Sequence, residues 1–422
     1  MSDIRYWLDQ TKFRGMRLGL DRVDEVHKHL VQNYDSTIIH VAGSNGKGTV
    51  CALTATHLNR LNRSTVMFTS PHLVRVEERI RVNGRPISED QFNTYLSLIR
   101  EAEISLDLEL TFFEVTFLAS CLCARDINPD VFIVETGLGG RFDATRILPA
   151  DVSLLTSITL EHQDILGSTL AEIAAEKAAI ARPNKQMLVR EMQDTEARSA
   201  IEYEARHAGQ EYLGEVPSPA SVEWIEIDSD SSMKEEAMAL VKATLSHLDF
   251  NIDSLDESML DLNWPGRMHH IEPMAWGGTL FVDAAHNPSG LKRVIPTISE
   301  LLSSQQEWTL VFGCTPQDDL EEFAKPLLDL CKENSPSHVL LTVPQTGRYP
   351  GVPISELSNL NWTCTQSVLH TSTPKELKPI LENNKPEFTL VIGSLYLIGE
   401  LFETFHFYGS KHLELFPPNN QR

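Results

Sequence analysis

From Ser36 to about Gly209, short apolar runs alternate with amphipathic stretches. The runs STIIHVA (36–42), STVMF (64–68), DVFIVE (130–135) and DVSLLTSI (151–158) read as short strands buried on both faces. Between them, residues 47–61, 88–102, 112–125 and 169–181 carry apolar positions at helical spacing. Ser88 follows Pro86 and precedes Gln91 by three residues, which predicts a capping box at the start of the second helix. Such alternation implies a mostly parallel sheet covered by helices. From about Glu215 the pattern weakens, and VPSPASVEWIEIDSDSSMKEE reads as a polar, acidic, turn-rich stretch. Alternation returns at TLFVD (279–283) and continues through EWTLVFG (307–313), SHVLLT (337–342) and EFTLVIG (387–393). The sequence predicts a domain boundary near NWPGRMHH (263–270) and shows no internal repeat.

A chain of 422 residues exceeds one compact core, in keeping with two domains. Hydrophobic residues at 41% and charged residues at 23% match a soluble enzyme rather than a disordered or membrane protein. The net charge of −23 opposes association with nucleic acid or an anionic membrane, yet a few placed cations still suffice for a small anion. No run reaches the ~20 apolar residues of a bilayer span. The first residues lack the apolar core of a signal peptide, so a cytoplasmic location is expected. The six cysteines are scattered without a CxxC pair, which argues against zinc and for reduced thiols.

The sharpest local signal is HVAGSNGKGTV (40–50), an apolar run entering Gly43, Gly46 and Gly48 and then a helix. Glycines let successive N–H groups turn toward one anion, and the helix start adds its dipole. Lys47 is placed to reach β/γ-phosphates, and Thr49 to meet a phosphate or its metal. The common GxxxxGK[ST] spacing is not met, because Gly48 separates Lys47 from Thr49 and position 41 is Val; a plain glycine turn is the competing reading. Further chemistry sits beyond other strand ends, where ligands bind in open α/β sheets. Glu135 ends one run before three glycines, and Glu161 with His162 follow another. A hard cation such as Mg²⁺ would take oxygens from Glu135, Ser70 and a nucleotide, with His162 a less usual ligand. Lys177, in an Ala-rich helix, reads locally as a solvated lysine, and FTSPHLVRVEERIRVNG (68–84) as a charged loop entering a β-hairpin. In the second half, Arg267 follows a Pro-Gly turn, and Asp283 and His286 precede a helix that Pro288 could begin.

Taken together, GSNGKGT, TSPHLVRVEERIRVNG, LTFFE, ETGLGGRFDAT, LEHQDILGSTLAEIAAEKAAI, PGR, DAAHNP and GSLYLIGE resemble the folylpolyglutamate synthases and dihydrofolate synthases, the folate branch of the Mur-ligase superfamily, over residues 17–405. The resemblance implies an α/β chain: an N-terminal P-loop ATP-binding domain with a mostly parallel sheet (1–266) and a smaller Rossmann-like C-terminal domain (267–422). It implies an ATP- and Mg²⁺-dependent ligase joining a folate or dihydropteroate carboxylate to L-glutamate through an acyl phosphate, most simply as a monomer. By that resemblance Asn45, Gly46, Lys47, Gly48 and Thr49 form the ATP-phosphate loop, and Ser70, Glu135 and His162 hold Mg²⁺. Lys177 matches a lysine carbamylated in the family. Thr111, Phe112, Phe113, Glu114, Phe142, Asp143 and Ala144 match segments lining the pteroate pocket. Arg267 and Asp283 match ATP contacts, with His286 beside them as a substrate-side residue.

The chain departs from the pattern at four places. Arg146 follows Asp143-Ala144-Thr145 where Asn is usual, and Glu236 in SSMKEEAMAL stands near an expected adenine-contacting Asn. Asp318-Asp319 replaces a Lys-Asp pair, and the stretch between Arg190 and Trp264 is short and acidic. A ligase acting on a non-folate acid, or a nucleotide-binding module without catalysis, are the alternative readings. The adjacent Phe112 and Phe113, suited to a flat aromatic ring, favour the folate reading.

Overall fold

The computed structural model describes residues 3–15, 17, 19–208, 218–228, 231–347 and 350–416. It divides into two compact units, Met1–His72 with Val76–Leu262, and Leu73–Arg75 with Asn263–Arg422. The first unit carries strands β1 (Thr37–Ala42), β2 (Thr65–Phe68), β3 (Ile80–Val82), β4 (Arg85–Pro86), β5 (Val131–Glu135), β6 (Val152–Leu155), β7 (Gln186–Arg190) and β8 (Ser221–Ile225). They form one sheet in the order β4-β3-β2-β5-β1-β6-β7-β8. All neighbours from β2 to β8 are parallel, and only the β2-β3-β4 edge is antiparallel.

The apolar runs become strands because β1, β5 and β6 are covered on both faces. Asn83 (φ 48°) and Gly84 (φ 78°) make the tight turn of the β3-β4 hairpin, a backbone shape Asn and Gly tolerate. β1 lies between β5 and β6, where the strand order reverses, and the loops after all three leave the same end of the sheet. The helix Lys47–Arg60 that follows β1 is buried continuously from Val50 to Leu58. Helices Met233–His247 and Leu255–Asp261 pack against it. His57, fully buried in its middle, pairs with Ser258 Oγ at 2.9 Å and the Asn251 carbonyl at 2.7 Å.

The second unit holds β9 (His269–Ile271), β10 (Thr279–Asp283), β11 (Trp308–Phe312), β12 (His338–Leu341), β13 (Ser367–His370) and β14 (Phe388–Ile392). Their order is β13-β12-β11-β14-β10-β9, parallel except for β9. Leu73 and Val74 belong to this unit and pack on its core. Gly399 is required there, since a Cβ would stand 2.3 Å from the Leu73 carbonyl oxygen.

Three expectations need correction. The capping box at Ser88 is half formed: Ser88 Oγ accepts from the Gln91 N–H, but the Gln91 amide turns instead to Tyr95. The polar stretch after Glu215 contains β8, an edge strand only partly covered, and runs into the helix Met233–His247, capped by a full Ser232–Glu235 box; its residues 215–217 and 229–230 lie outside the described residues. The segment 68–84 does enter the β3-β4 hairpin with Arg75 exposed, but two of its arginines turn inward: Arg81 is buried, and Arg79 donates to His72 Nδ1 and stacks over Phe112. Among the described residues the cysteines are all free thiols and no helix is long and apolar enough to cross a membrane.

Candidate active site

The phosphate loop leaves β1 at Gly43. Its φ is +144°, and a Cβ there would lie 1.9 Å from Thr156 Oγ1, so only glycine fits. Thr156 and Ser157, at the end of β6, brace the loop: both hydroxyls bond the Asn45 carbonyl, at 2.7 and 3.3 Å, and Ser157 Oγ accepts from the Asn45 N–H. Gly46, at φ 87°, is the N-cap of the helix Lys47–Arg60. Its first turn, holding Lys47, Gly48 and Thr49, leaves N–H groups without an intrahelical carbonyl. Residues 45–49 stay partly exposed while Val50 onward is buried. That combination is an anion cradle on a fixed base.

Two lysines meet at this loop. Lys47 Nζ donates to the carbonyls of Gly43 (2.9 Å) and Ser44 (3.3 Å). Lys177 Nζ, from the helix Leu170–Ala178, donates to the same Gly43 carbonyl at 3.0 Å and pairs with Glu161 at 2.8 Å. Lys177 is 2% exposed, so the local reading of a solvated helix lysine is wrong. Burial lowers its pKa to about 8, and the charge of Lys47 adds to this against the attraction of Glu161. Burial pushes the Glu161 carboxyl up, but the two lysines outweigh it and hold it below the usual range. Sequence reasoning noted Glu161 without a role; its signal was a carboxylate just beyond a buried strand.

At neighbouring strand ends, Glu135 closes β5, buried, and its Oε2 accepts the Ser70 N–H at 3.0 Å. His162 is exposed at φ 47° and begins a short helix, Gln163–Leu166. Among the described residues no three His, Cys, Asp or Glu side chains converge. A carboxylate and a hydroxyl fit a hard cation that keeps water and nucleotide oxygens, rather than a thiolate or histidine cage.

Thr111 and Glu114 form a reciprocal capping box for the helix Phe112–Ile127, and Glu114 also pairs with Arg22. Their polar atoms thus set the position of the two phenylalanines. Phe113 meets Phe68 edge-on at 5.7 Å and abuts Gly137, where a Cβ would lie 2.5 Å from its ring. Phe112 lies under both Lys12 and Arg79. Gly140 packs onto the carbonyls of Glu176 and Lys177, each 2.7 Å from a hypothetical Cβ, tying the glycine loop to the lysine helix. Arg141 clamps the same helix through Glu176. Phe142 is half exposed and Ala144 buried. Asp143 is buried and accepts from the N–H groups of Gly137, Leu138 and Thr145 and from the Thr145 hydroxyl. Burial raises its pKa despite those donors. Glu236, near the expected adenine contact, is buried in an ion pair with Arg190 at 2.7 Å.

In the second unit, buried Asp283 accepts from the N–H groups of Met268 and Ala285, at 2.9 and 2.8 Å. Burial raises its pKa although the Arg267 charge opposes this. His286 is exposed, and Asn287 caps the helix Pro288–Ser303 by accepting from Gly290.

No family model matches the chain. It is 32% identical over 297 residues to the dihydrofolate synthase/folylpolyglutamate synthase of Escherichia coli (strain K12), covering 67% of this chain and 68% of that protein. Identity to the enzyme of the same description from Bacillus subtilis (strain 168) is 26%, covering 95% and 98%. Among solved structures, E. coli FolC in complex with DHPP and ADP superposes with a TM-score of 0.79 at 24% identity, covering 96% of this chain and 98% of that one. The Yersinia pestis folylpolyglutamate synthase/dihydrofolate synthase complexed with AMPPNP and Mn gives 0.78 at 23%, covering 96% and 98%. These likenesses in sequence and in two-sheet architecture agree, and the chain belongs to the folylpolyglutamate synthase/dihydrofolate synthase family of ligases.

Proposed function

We propose that this chain joins the carboxylate of a pteroate- or folate-type acid to the amine of L-glutamate, with ATP converted to ADP and phosphate. The observation that carries the reading is the convergence of Lys47 and Lys177 on the Gly43 carbonyl at the mouth of the glycine loop. Lys47 can exchange its two carbonyl partners for phosphate oxygens, which bind an ammonium more strongly than neutral carbonyls do. The loop N–H groups and helix start would hold the remaining phosphate charge.

A carboxylate is a poor acyl donor. Transfer of the γ-phosphoryl group to a carboxylate oxygen gives an acyl phosphate and ADP, with Lys47 stabilising the moving charge. The glutamate amine then attacks the acyl carbon, loses its proton, and phosphate departs with the C–O bond. Mg²⁺, held by Ser70, Glu135 and His162, would neutralise phosphate charge when bound. Lys177 in carbamylated form would present a carboxylate beside this set. Phe112 and Phe113, with the loop through Phe142, Asp143 and Ala144, would receive the acid's aromatic ring. Arg267, Asp283 and His286 keep the ATP- and substrate-side roles that the family pattern gives them. Relatives captured with ADP and DHPP, or with AMPPNP and Mn, support this reading. The test is ADP formation with ATP, Mg²⁺ and glutamate against dihydropteroate, tetrahydrofolate and unrelated acids. Turnover confined to the unrelated acids would overturn it.

A further inference from the structure

His40 lies on the central strand β1, fully buried, opposite Val134 of β5 and Ser153 of β6. Every other side chain from Ile38 to Ala42 is apolar, and a branched apolar residue would fill this position without desolvating a polar ring. His40 Nε2 stands 2.8 Å from Thr145 Oγ1, and Thr145 Oγ1 stands 2.5 Å from Asp143 Oδ1. A hydroxyl has one proton to give. Asp143 already accepts three backbone N–H groups, so both of its oxygens act as acceptors and the Thr145 proton points to it. His40 must then donate from Nε2, which leaves Nδ1 bare. In agreement, His40 Nδ1 is buried without a hydrogen-bond partner. Burial, and after it the nearby guanidinium groups of Arg182 and Arg146, oppose an imidazolium.

The far end of this chain of bonds is at the candidate site. Asp143 Oδ2 holds the N–H groups of Gly137 and Leu138 at 2.8 and 2.9 Å. Gly137 abuts the Phe113 ring, and Gly43 opens the loop that follows this strand, three residues beyond His40. We propose that His40 is a positioning residue of the ligase, acting through Thr145 and Asp143 to set the Gly137–Leu138 backbone against Phe113 in register with the phosphate loop. The inference rests on the proposed ligase reading only for what the acid pocket binds.

Two measurements test it. In ¹⁵N-imidazole NMR of the full chain, His40 is expected as the neutral Nε2–H tautomer down to about pH 5. An Nδ1–H tautomer or a titrating ring would overturn the proposal, and this arm stands even if no pteroate-type acid is turned over. In kinetics with whichever acid the wild type uses, His40→Leu and Thr145→Val are expected to raise the KM for the acid about tenfold while the KM for ATP stays within about twofold. His40→Gln, whose amide nitrogen reaches the Nε2 position, should bring the acid KM back to within about threefold of wild type. Equal rises in both KM values, no rise, or no rescue by Gln would each defeat the positioning role, because a merely structural histidine moves both substrates alike.

Discussion

Lys47 and Lys177 donate to one acceptor, the carbonyl oxygen of Gly43, at 2.9 and 3.0 Å. Two ammonium groups on a single neutral oxygen repel each other. Glu161 offsets this most directly for Lys177, its ion-pair partner, so Lys47 is the cation with most to gain from an incoming phosphate.

Lys47→Ala is expected to lower ATP-dependent turnover by about two to three orders of magnitude, the scale for losing one charged stabiliser of a transition state. Lys47 is partly exposed at the start of its helix, so the thermal midpoint should stay near wild type. Steady-state ADP release and a circular-dichroism melt check both. Normal turnover at saturating ATP would sink the role given to Lys47.

Lys177→Met should cost about 3 kcal/mol in urea unfolding, because it strands the mostly buried Glu161 carboxylate without its partner. Adding Glu161→Gln should recover part of that loss. A solvated lysine would show neither effect.

Chemical modification of Lys177 provides a pH test. Its pKa of about 8, against 10.5 ordinarily, leaves about three-hundredfold more neutral amine at pH 7 than a free lysine has. Carbamylation with ¹³C-bicarbonate should therefore be seen by NMR near neutral pH and grow toward pH 9. The linkage sign follows: between about 8 and 10.5 the unfolded chain binds the proton more readily, so this group adds stability as pH rises through that window. No carbamate signal, with Lys177→Ala as the blank, would remove the modified lysine from the mechanism. If the carbamate is present, short carboxylic acids should partly restore the activity of Lys177→Ala.

Gly137→Ala should displace the Phe113 ring, since the added Cβ would meet it at 2.5 Å. Phe113→Ala removes the ring altogether. Both should raise the KM for a pterin acid, Phe113→Ala by about fivefold, equivalent to ~1 kcal/mol of ring contact, with the KM for ATP unchanged. Unaltered pterin kinetics in both would move the acid pocket elsewhere.

The buried strands β1, β5 and β6 were readable because a parallel sheet covered on both faces demands unbroken apolar runs. β8 and β13 were not, because edge strands bury only part of their surface and carry mixed side chains. The glycine loop was legible from its spacing, and Gly43 has the constraint that spacing implies. Lys177 was opaque locally. Its burial depends on Gly43, 134 positions away, and no helical period encodes so remote a partner. Thr111, Glu114 and Asp143 show the opposite limit. Their types suggest ligand contacts, yet each also bonds the backbone of its own segment, with Arg22 further engaging Glu114 and the Thr145 hydroxyl engaging Asp143, a use that only the folded chain reveals.

The helix Lys47–Arg60, buried from Val50 to Leu58, has a kinetic consequence. Its interior amide protons should exchange with deuterium only when the whole first unit opens, making them among the slowest in the unit. Those of Gly46 to Thr49 have no intrahelical acceptor and should exchange quickly until an anion occupies the loop. Lys47 thus stands where the slowest and fastest backbone of the unit meet, and nucleotide binding would be read as protection appearing within a single helical turn.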